Sequence, residues 1–322
     1  MKRNRLFAAL LGAALMLGVL TGCASGSDRV RIGTAGSGGT YYAYGTVLSQ
    51  IFAGDGETSY EVKDTAGSAA NLRLLSDGYL ELAIAQSDVT DEAYSGTGIF
   101  AENPRTGYSA VASLYTEPCQ IVVRADSDIH SVEQLLGKRV SVGEKESGVA
   151  YSARSILECC GLSFEMIDAQ QGLTYAEAAL ALENGEIDAF FCTAGAPTNA
   201  VMNLARETPI RLLSLDEDQM NRLLQTYPFS IPTVVPADTY PGQTADTTTV
   251  GVRALLLASD KLSEDAVYDM VTAIYANGDT IRMGTPANTE LAPADWKVGV
   301  TVPIHPGSQR YFDEQDIPGE VG

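Results

Sequence analysis

The chain has 322 residues, 45% of them hydrophobic, and a formal net charge of −20 at pH 7. So acidic a protein repels nucleic-acid phosphates and anionic lipid surfaces, so nucleic acid is not expected as a partner. Its two histidines, His130 and His305, lie far apart in the sequence, and its cysteines do not follow a zinc-binding spacing. We therefore expect no metal ion and no other cofactor.

The first 22 residues predict an export signal. Three basic residues within Met1–Arg5 precede an apolar stretch from Leu6 to Leu20, which is shorter than the roughly 20 apolar residues of a membrane-spanning helix. Cys23 directly follows Leu20-Thr21-Gly22, a pattern that resembles a bacterial lipobox. This predicts cleavage before Cys23, a lipid on that cysteine, and a tether over residues 23–28 at the extracytoplasmic face of a bacterial cell membrane. An ordinary secretory signal with a coincidental cysteine is the alternative.

About 300 residues remain after the signal, a length that is typical of two domains. Loss of Lys2, Arg3 and Arg5 takes the net charge from −20 to about −23. Such a body repels anionic solutes at long range, so any anion site must depend on local, buried hydrogen-bond donors.

One phrase occurs twice in the chain. G-x-x-x-S-G-x-x-Y-x-A spans residues 33–43 and, 110 positions later, residues 143–153. Each copy follows a β-branched run and leads into a helical pattern, which predicts a strand, a glycine loop and a helix N-terminus. Free backbone N–H groups and the helix dipole favour anions at such a terminus. The two copies predict two similar lobes with a ligand between them; the alternative is two tight turns without a binding role.

The remaining patterns predict an alternation of strands and helices, typical of an α/β fold with largely parallel sheets. Lobe one is predicted to contain strands at 30–32, 60–64, 80–85 and 110–115, with a helix at 40–52 and another that opens over residues 66–71. Lobe two is predicted to contain strands at 120–124, 164–168 and 187–192, with helices ending near 160 and spanning 175–183. A proline-rich return leads to a strand at 250–257 and to helices at 263–276 and after 307.

A second echo supports the duplication. Leu75–Gly78 before the strand at 81–83 resembles Leu182–Gly185 before the strand at 188–189, at an offset of 107 residues. We therefore predict lobe I at residues 29–118 and 236–322, and lobe II at residues 119–235.

Ligands of open α/β sheets bind beyond the carboxyl ends of the strands, where loops enter helices. This rule predicts a polar, donor-rich and mostly uncharged site, which suits a small carboxylate. An acid at Glu144 or Glu146 could meet an ammonium group and favour an amino acid such as glutamate over a plain dicarboxylate, unless both acids face solvent. The predicted ligand-binding residues are Ser37, Gly38, Thr40, Tyr41, Ser68, Asn71, Gln86, Ser87, Ser147, Gly148, Tyr151, Gly195, Ala196 and Pro197.

Enzyme functions are the alternatives to a binding protein. Ala35–Gly39 nearly matches the G-x-S-x-G elbow of hydrolases, so an exported serine hydrolase using Ser37, with His305 or His130 and an acid, is the main alternative. A dinucleotide-binding fingerprint is excluded because Tyr41 stands where its third glycine is needed. The four cysteines after Cys23 could pair in three ways, or as a vicinal Cys159–Cys160 disulfide, although buried free thiols are favoured.

Six short phrases, in order over nearly the whole mature chain, resemble one family. They are Gly38-Gly39-Thr40-Tyr41-Tyr42, Gln86-Ser87-Asp88, Gly185-Glu186-Ile187-Asp188-Ala189-Phe190-Phe191, Ala194-Gly195-Ala196-Pro197, Tyr240-Pro241-Gly242-Gln243 and Pro303-Ile304-His305-Pro306-Gly307. They resemble the TAXI solute-binding proteins of TRAP transporters (TRAP-associated extracytoplasmic immunogenic proteins).

The resemblance implies a type II periplasmic-binding-protein fold, with two lobes joined by hinge strands. It also implies delivery of a small organic acid or amino acid to an ion-driven TRAP permease, with no catalytic residues and a structural His305. The chain departs from the family at Glu146-Ser147-Gly148-Val149, where Gly-Ser-Gly-Thr is frequent. A binding protein of this fold that senses its ligand without transporting it is a further alternative.

Overall fold

The computed structural model of the protein describes residues 29–319 apart from 55, 57, 288 and 290. The predicted export signal, the lipidated Cys23 and the tether fall on residues 1–28, outside the described part. Within the described residues, no helix is long and apolar enough to cross a membrane.

Ten strands and ten α-helices occur in the described residues. The strands are β1 (Arg29–Gly33), β2 (Ser59–Lys63), β3 (Leu82–Gln86), β4 (Tyr108–Arg124), β5 (Arg139–Ser141), β6 (Asp168–Gln170), β7 (Ala189–Thr193), β8 (Ile210–Leu212), β9 (Ile231–Val235) and β10 (Thr247–Ser259). The helices are α1 (Thr40–Ala53), α2 (Ser68–Ser76), α3 (Ser87–Ser95), α4 (Gly148–Cys159), α5 (Tyr175–Glu183), α6 (Asn199–Glu207), α7 (Glu217–Thr226), α8 (Glu264–Ala276), α9 (Gly278–Gly284) and α10 (Pro306–Glu314).

The strands form one sheet in the order β2-β1-β3-β10-β4-β7-β5-β6, with β8 beside β4 and β9 beside β10. β1 is parallel to β2 and β3, and β5 is parallel to β6 and β7, whereas β4 and β10 run antiparallel to their neighbours. We call the half around β1–β3 lobe one and the half around β5–β8 lobe two. Each lobe has its own buried apolar clusters, so the predicted α/β class is confirmed, as a mixed sheet.

β4 joins the two lobes as a single strand, where the sequence predicts two segments separated by Glu117-Pro118. Proline has no N–H to donate and is normally excluded from a central strand. Pro118 is tolerated because the strand changes partners there: it lies opposite Gly251 of β10, and Cys119 is the first residue paired with β7.

The lobes repeat an ion pair as well as a topology. Arg31 on β1 binds Glu81 through its backbone N–H (2.8 Å) and its guanidinium, and Arg139 on β5 binds Asp188 in the same way (2.9 Å). The preceding helices α2 and α5 both end at a glycine with positive φ, 77° at Gly78 and 70° at Gly185. The duplication inferred from the sequence therefore extends to side-chain contacts.

The strand predicted at 164–168 is wrong over most of its length. Residues 164–167 form turns, closed by a hydrogen bond from the Met166 N–H to the Ser163 carbonyl (3.1 Å), and β6 begins only at Asp168. The Arg154 guanidinium lies over the Phe164 ring, 4.7 Å from its centroid, which places that apolar residue against α4 instead of in the sheet.

The four cysteines in the described part of the chain are free thiols, as favoured from the sequence. Cys119 and Cys192 are buried, while Cys159 and Cys160 are half-buried. His305 caps α10: its Nδ1 accepts a hydrogen bond from the Gly307 N–H (3.3 Å), and burial lowers its pKa. These contacts give His305 a structural role.

Gly251→Ala should destabilise the fold by about 1 to 3 kcal/mol, because overpacking a filled interior forces neighbours apart. A Cβ at position 251 would lie 2.7 Å from Thr116 Cγ2 and 2.9 Å from the Glu117 carbonyl oxygen. Gly278→Ala is the control, since nothing lies within 4 Å of that position. Urea unfolding checks both variants; equal effects would contradict this account of the β4 crossing.

Candidate functional site

The loops that follow the strands of both lobes enclose one cavity between the lobes. Its empty volume of about 520 Å³ includes space open to solvent. The lining residues are Ala35, Gly36, Gly39, Thr40, Tyr41, Ala66, Gly67, Ser68, Gln86, Glu117, Gly143, Glu144, Ser147, Gly148, Val149, Leu173, Thr174, Tyr175, Thr193 and Ala194.

The lobes touch directly around this cavity. The N–H groups of Ala69 and Ala70 at the start of α2 donate to the Glu146 carbonyl oxygen of lobe two (3.0 and 3.2 Å). Thr40 Oγ1 donates to the Gly195 carbonyl (3.2 Å). These bonds describe a closed cleft, and they occupy the α2 N-terminus with a protein carbonyl.

Six of the predicted ligand-binding residues line the cavity. They are Thr40, Tyr41, Ser68, Gln86, Ser147 and Gly148. All four hydroxyls in this set already have protein partners. Thr40 Oγ1 donates to the Gly195 carbonyl and the Tyr41 hydroxyl donates to the Glu117 carboxyl group. Ser68 Oγ accepts from the Gln86 N–H (3.1 Å), and Ser147 Oγ donates to the Glu144 carbonyl (2.6 Å). The unused hydrogen-bonding capacity therefore lies mainly in the Gln86 carboxamide, whose Oε1 has no partner among the described residues.

The structure places the other eight predicted residues elsewhere. They are Ser37, Gly38, Asn71, Ser87, Tyr151, Gly195, Ala196 and Pro197. Ser37 is exposed, and the Gly38 carbonyl accepts the Ala200 N–H (3.2 Å). Ser87 is buried, and a Cβ at Gly195 would meet Ala287 Cβ at 2.5 Å, so both are packed within the protein.

Tyr151 and Tyr41 occupy equivalent sequence positions but different surroundings. α1 begins at Thr40, which makes Tyr41 its second residue, while α4 begins at Gly148, which makes Tyr151 its fourth. Two residues of helix correspond to a rotation of about 200°, so the second tyrosine faces away from the cavity. Tyr151 lines a second cleft instead, beside Asp88 and Glu92.

Asn71 is fully buried and holds two strand ends in place. Its Nδ2 donates to the carbonyl oxygens of Thr34 (2.6 Å) and Ile84 (2.8 Å), and its Oδ1 accepts from Thr65 Oγ1 (2.7 Å). Its amide hydrogens and its carbonyl are thus all engaged in the fold of lobe one.

The groups of the alternative hydrolase are not assembled. Among the described residues, Ser37 has no side-chain hydrogen bond to either histidine. His130 is exposed and its Nδ1 lies 2.7 Å from Arg211 Nη1, while His305 is the buried cap of α10. Within the same residues, no group of three or more His, Cys, Asp or Glu is arranged to hold a metal ion.

Glu117 is the main residue that sequence reasoning missed. It lies in β4 on the floor of the cavity, is 1% exposed, and accepts a hydrogen bond from the Tyr41 hydroxyl (2.7 Å). Burial raises the pKa of its carboxyl group well above the usual range. A single acidic residue within the long crossing strand was the signal that could have found it.

Lobe two contributes further lining residues that were not predicted from the sequence. The Tyr175 hydroxyl donates to the Thr193 carbonyl (2.8 Å), and Thr174 caps α5 beside it. Glu144 lines the cavity, and its pKa is raised by burial and by the charges of Asp64 and Glu177.

Glu146, the other acid singled out in the sequence, is paired across the lobes. Its carboxylate accepts from Arg73 Nε (3.1 Å) and Nη2 (2.8 Å), and the guanidinium lowers its pKa. The pair is partly exposed and does not line the cavity. Glu146 therefore contributes to contact between the lobes.

A family model described as the NMT1-like family matches residues 32–315, so the chain belongs to the NMT1-like family. Among solved structures it is similar to a periplasmic transporter, with 15% identity, 91% of this chain and 95% of that chain covered, and a TM-score of 0.57. A putative L-cystine ABC transporter from Listeria monocytogenes has 14% identity, coverage of 82% and 98%, and a TM-score of 0.52. A protein of Bordetella bronchiseptica RB50 has 14% identity, coverage of 89% and 98%, and a TM-score of 0.52. These similarities show that the chain shares its α/β fold with these three structures.

Asn71→Ala should lower the free energy of unfolding by about 2 to 4 kcal/mol, because it removes three hydrogen bonds from a fully buried site. Ligand affinity should stay unchanged. Asn277→Ala, which loses one part-buried bond to the Ala273 carbonyl, is the control and should cost less than about 1 kcal/mol. Wild-type stability with weakened binding in Asn71→Ala would show instead that Asn71 contacts the ligand.

Arg73→Gln should weaken ligand binding about two- to fivefold, because this ion pair forms only when the lobes are closed and partly exposed pairs contribute at most about 1 kcal/mol. Arg124→Gln is a matched control: Arg124 makes a similar two-bond pair with Asp126 within lobe two (3.0 and 2.9 Å). Calorimetry at low and high salt measures both. Equal affinities for Arg73→Gln and the wild type at low salt would contradict the role in closure.

Proposed function

We propose that this protein is an extracytoplasmic solute receptor of the TAXI type, held at the membrane by a lipid on Cys23. It binds a small carboxylate or amino acid between its lobes and delivers it to the membrane subunits of a TRAP transporter. The observation that carries the proposal is the enclosed cavity at which helix starts from both lobes converge. Membership of the NMT1-like family and the shared fold support a binding-protein role.

The donors for an anionic group are the first turns of α1 and α4. Thr40 and Tyr41 line the cavity from lobe one, and Gly148 and Val149 line it from lobe two. Neither helix start has an acidic residue in its first turn. Apart from the Ala150 N–H, which donates to Ser147 Oγ, the first-turn backbone N–H groups of both helices are therefore available to a carboxylate.

Helix dipoles alone do not account for useful affinity. One helix start contributes about 0.3 to 2 kcal/mol, whereas micromolar binding requires about −8 kcal/mol. Closure of the lobes supplies the remainder by excluding water and burying the ligand. The contacts of Thr40 with Gly195, of α2 with Glu146, and of Arg73 with Glu146 are the bonds that closure forms.

The ligand contacts that we propose are narrower than the set predicted from the sequence. They comprise the lining residues Thr40, Tyr41, Ser68, Gln86, Ser147 and Gly148, joined by Glu117, Glu144, Thr174 and Thr193. The hinge between residues 29–118 with 236–322 and residues 119–235 runs through β4 and β10, which cross from one lobe to the other.

The partner and the location rest on sequence features. The apolar signal and the Leu-Thr-Gly-Cys pattern support export and lipid anchoring, and the six quoted phrases support a TRAP permease as the recipient of the ligand. Transport in this form needs no catalytic group in the receptor.

A thermal-shift screen of amino acids and small carboxylates tests the receptor function. A ligand at about 100 times its dissociation constant should stabilise the protein by about 2.7 kcal/mol, which raises the melting temperature by several degrees. Gly148→Val should abolish the shift with the fold retained, because its side chain would occupy the position of the Gln86 carboxamide. Absence of a shift with every compound would contradict the proposal.

A further inference from the structure

Glu117 is a buried carboxyl group, and among the described residues no positive charge faces it. The titratable groups around it are Tyr41 on α1, Asp88 on α3, Tyr115 on its own strand, Tyr175 on α5 and Cys192 on β7. All of them are neutral or acidic. Burying an ionised carboxylate in such surroundings is costly unless a cation or several donors balance it.

The one buried cation on the neighbouring strand points elsewhere. Arg253 of β10 lies opposite Thr116, one residue before Glu117, so the two side chains are on opposite faces of the sheet. Its guanidinium donates to Ser113 Oγ (2.8 Å) and Thr116 Oγ1 (3.3 Å). Among the described residues that line the cavity there is no lysine, arginine or histidine.

A second acceptor points into the same cavity. Gln86 is 2% exposed, and its Oε1 is buried without a hydrogen-bond partner among the described residues. It lies against the first residue of α4, Gly148. A buried amide oxygen without a donor costs free energy, so Gln86 and Glu117 together present acceptors that a ligand bearing several N–H groups would satisfy.

The same cavity also presents donors. The first turn of α4 contributes the N–H groups of Gly148 and Val149, while the Ala150 N–H is already bound to Ser147 Oγ (3.4 Å). The site thus has acceptors on side chains of lobe one and β4 and donors on the backbone at the start of α4, and the Glu144 carboxyl group of lobe two is the other acid in the lining.

We propose that the ligand of this cavity is an amino acid bound as its zwitterion, with its ammonium group on the Glu117 carboxylate and its carboxylate at the start of α4. The Gln86 Oε1 accepts a second ammonium hydrogen, and the Tyr41 hydroxyl fixes the orientation of the Glu117 carboxylate. This inference rests on the proposed receptor function and names its ligand class. It replaces Glu146, which is committed to Arg73, with Glu117 as the partner of the ammonium group.

The opposing mechanism has a protonated Glu117 that donates a hydrogen bond to a plain carboxylate. The two mechanisms differ in their proton balance. An ammonium group stabilises ionised Glu117, so binding near neutral pH releases a proton from a group whose pKa is raised in the free protein. If protonated Glu117 instead donates a hydrogen bond to a carboxylate, binding releases no proton.

The test uses calorimetry with matched pairs of compounds that differ only in the amino group. They are L-alanine and propionate, L-glutamate and glutarate, and L-leucine and 4-methylpentanoate. At least one amino acid should bind the wild-type protein about 100-fold more tightly than its partner. Titration in two buffers of different ionisation enthalpy should show proton release, a measurement that needs no variant.

Glu117→Gln keeps the shape of the side chain and an acceptor for Tyr41 but removes the charge. It should weaken amino-acid binding about 100-fold with the circular-dichroism spectrum unchanged. Glu146→Gln, which removes an acid outside the cavity, should weaken both members of each pair by the same small factor.

The inference is overturned, with the receptor function intact, if deaminated acids bind the wild type as tightly as amino acids, if binding releases no proton, or if Glu117→Gln binds amino acids normally. If none of the six compounds binds the wild-type protein, both the inference and the proposed receptor for small acids are contradicted.

Discussion

The point at which β4 changes partners is the constraint on which the rest of the structure depends. Pro118 can occupy a central strand only because β10 pairs up to that residue and β7 pairs after it. This change of pairing partner fixes where the two lobes join. It also places Glu117 on the floor of the cavity between them. The change of partner along β4 thereby determines both the position of the hinge and the position of the Glu117 carboxyl group.

The two lobes share an architecture, but they contribute different groups to the binding cavity. The ion pairs Arg31–Glu81 and Arg139–Asp188 are repeated, as are the positive-φ glycines that end α2 and α5. The lobes differ at the strand-to-helix loops, where α1 starts two residues later in the repeated phrase than α4 does. That shift turns Tyr41 toward Glu117 and leaves its counterpart, Tyr151, in a different cleft.

Much of the fold could be predicted because its signals are local. Apolar periodicity and glycine positions predicted α5 at its observed bounds, α1 and α8 to within about a residue, and the end of α4 to within about a residue. The site was predicted less completely. The direction in which a helical side chain points depends on the residue at which its helix starts, and the spacing of a motif does not determine that residue. Motif spacing also does not reveal that β4 changes its pairing partner at Pro118. The residues predicted from the strand ends included Asn71 and Gly195, which pack within the protein, and omitted Glu117 and Thr193, which line the cavity.

The central claim is that closing the two lobes buries one small acid between acceptors of lobe one and β4 and donors at the start of α4. A crystal structure of the protein grown with the tightest-binding amino acid tests it most directly. The account predicts density in the cavity between α1 and α4, with the ligand nitrogen within hydrogen-bond distance of Glu117 and the carboxylate at the N–H groups of Gly148 and Val149. A closed structure with that amino acid bound elsewhere, or bound in the cavity with its carboxylate against Glu117, would contradict it.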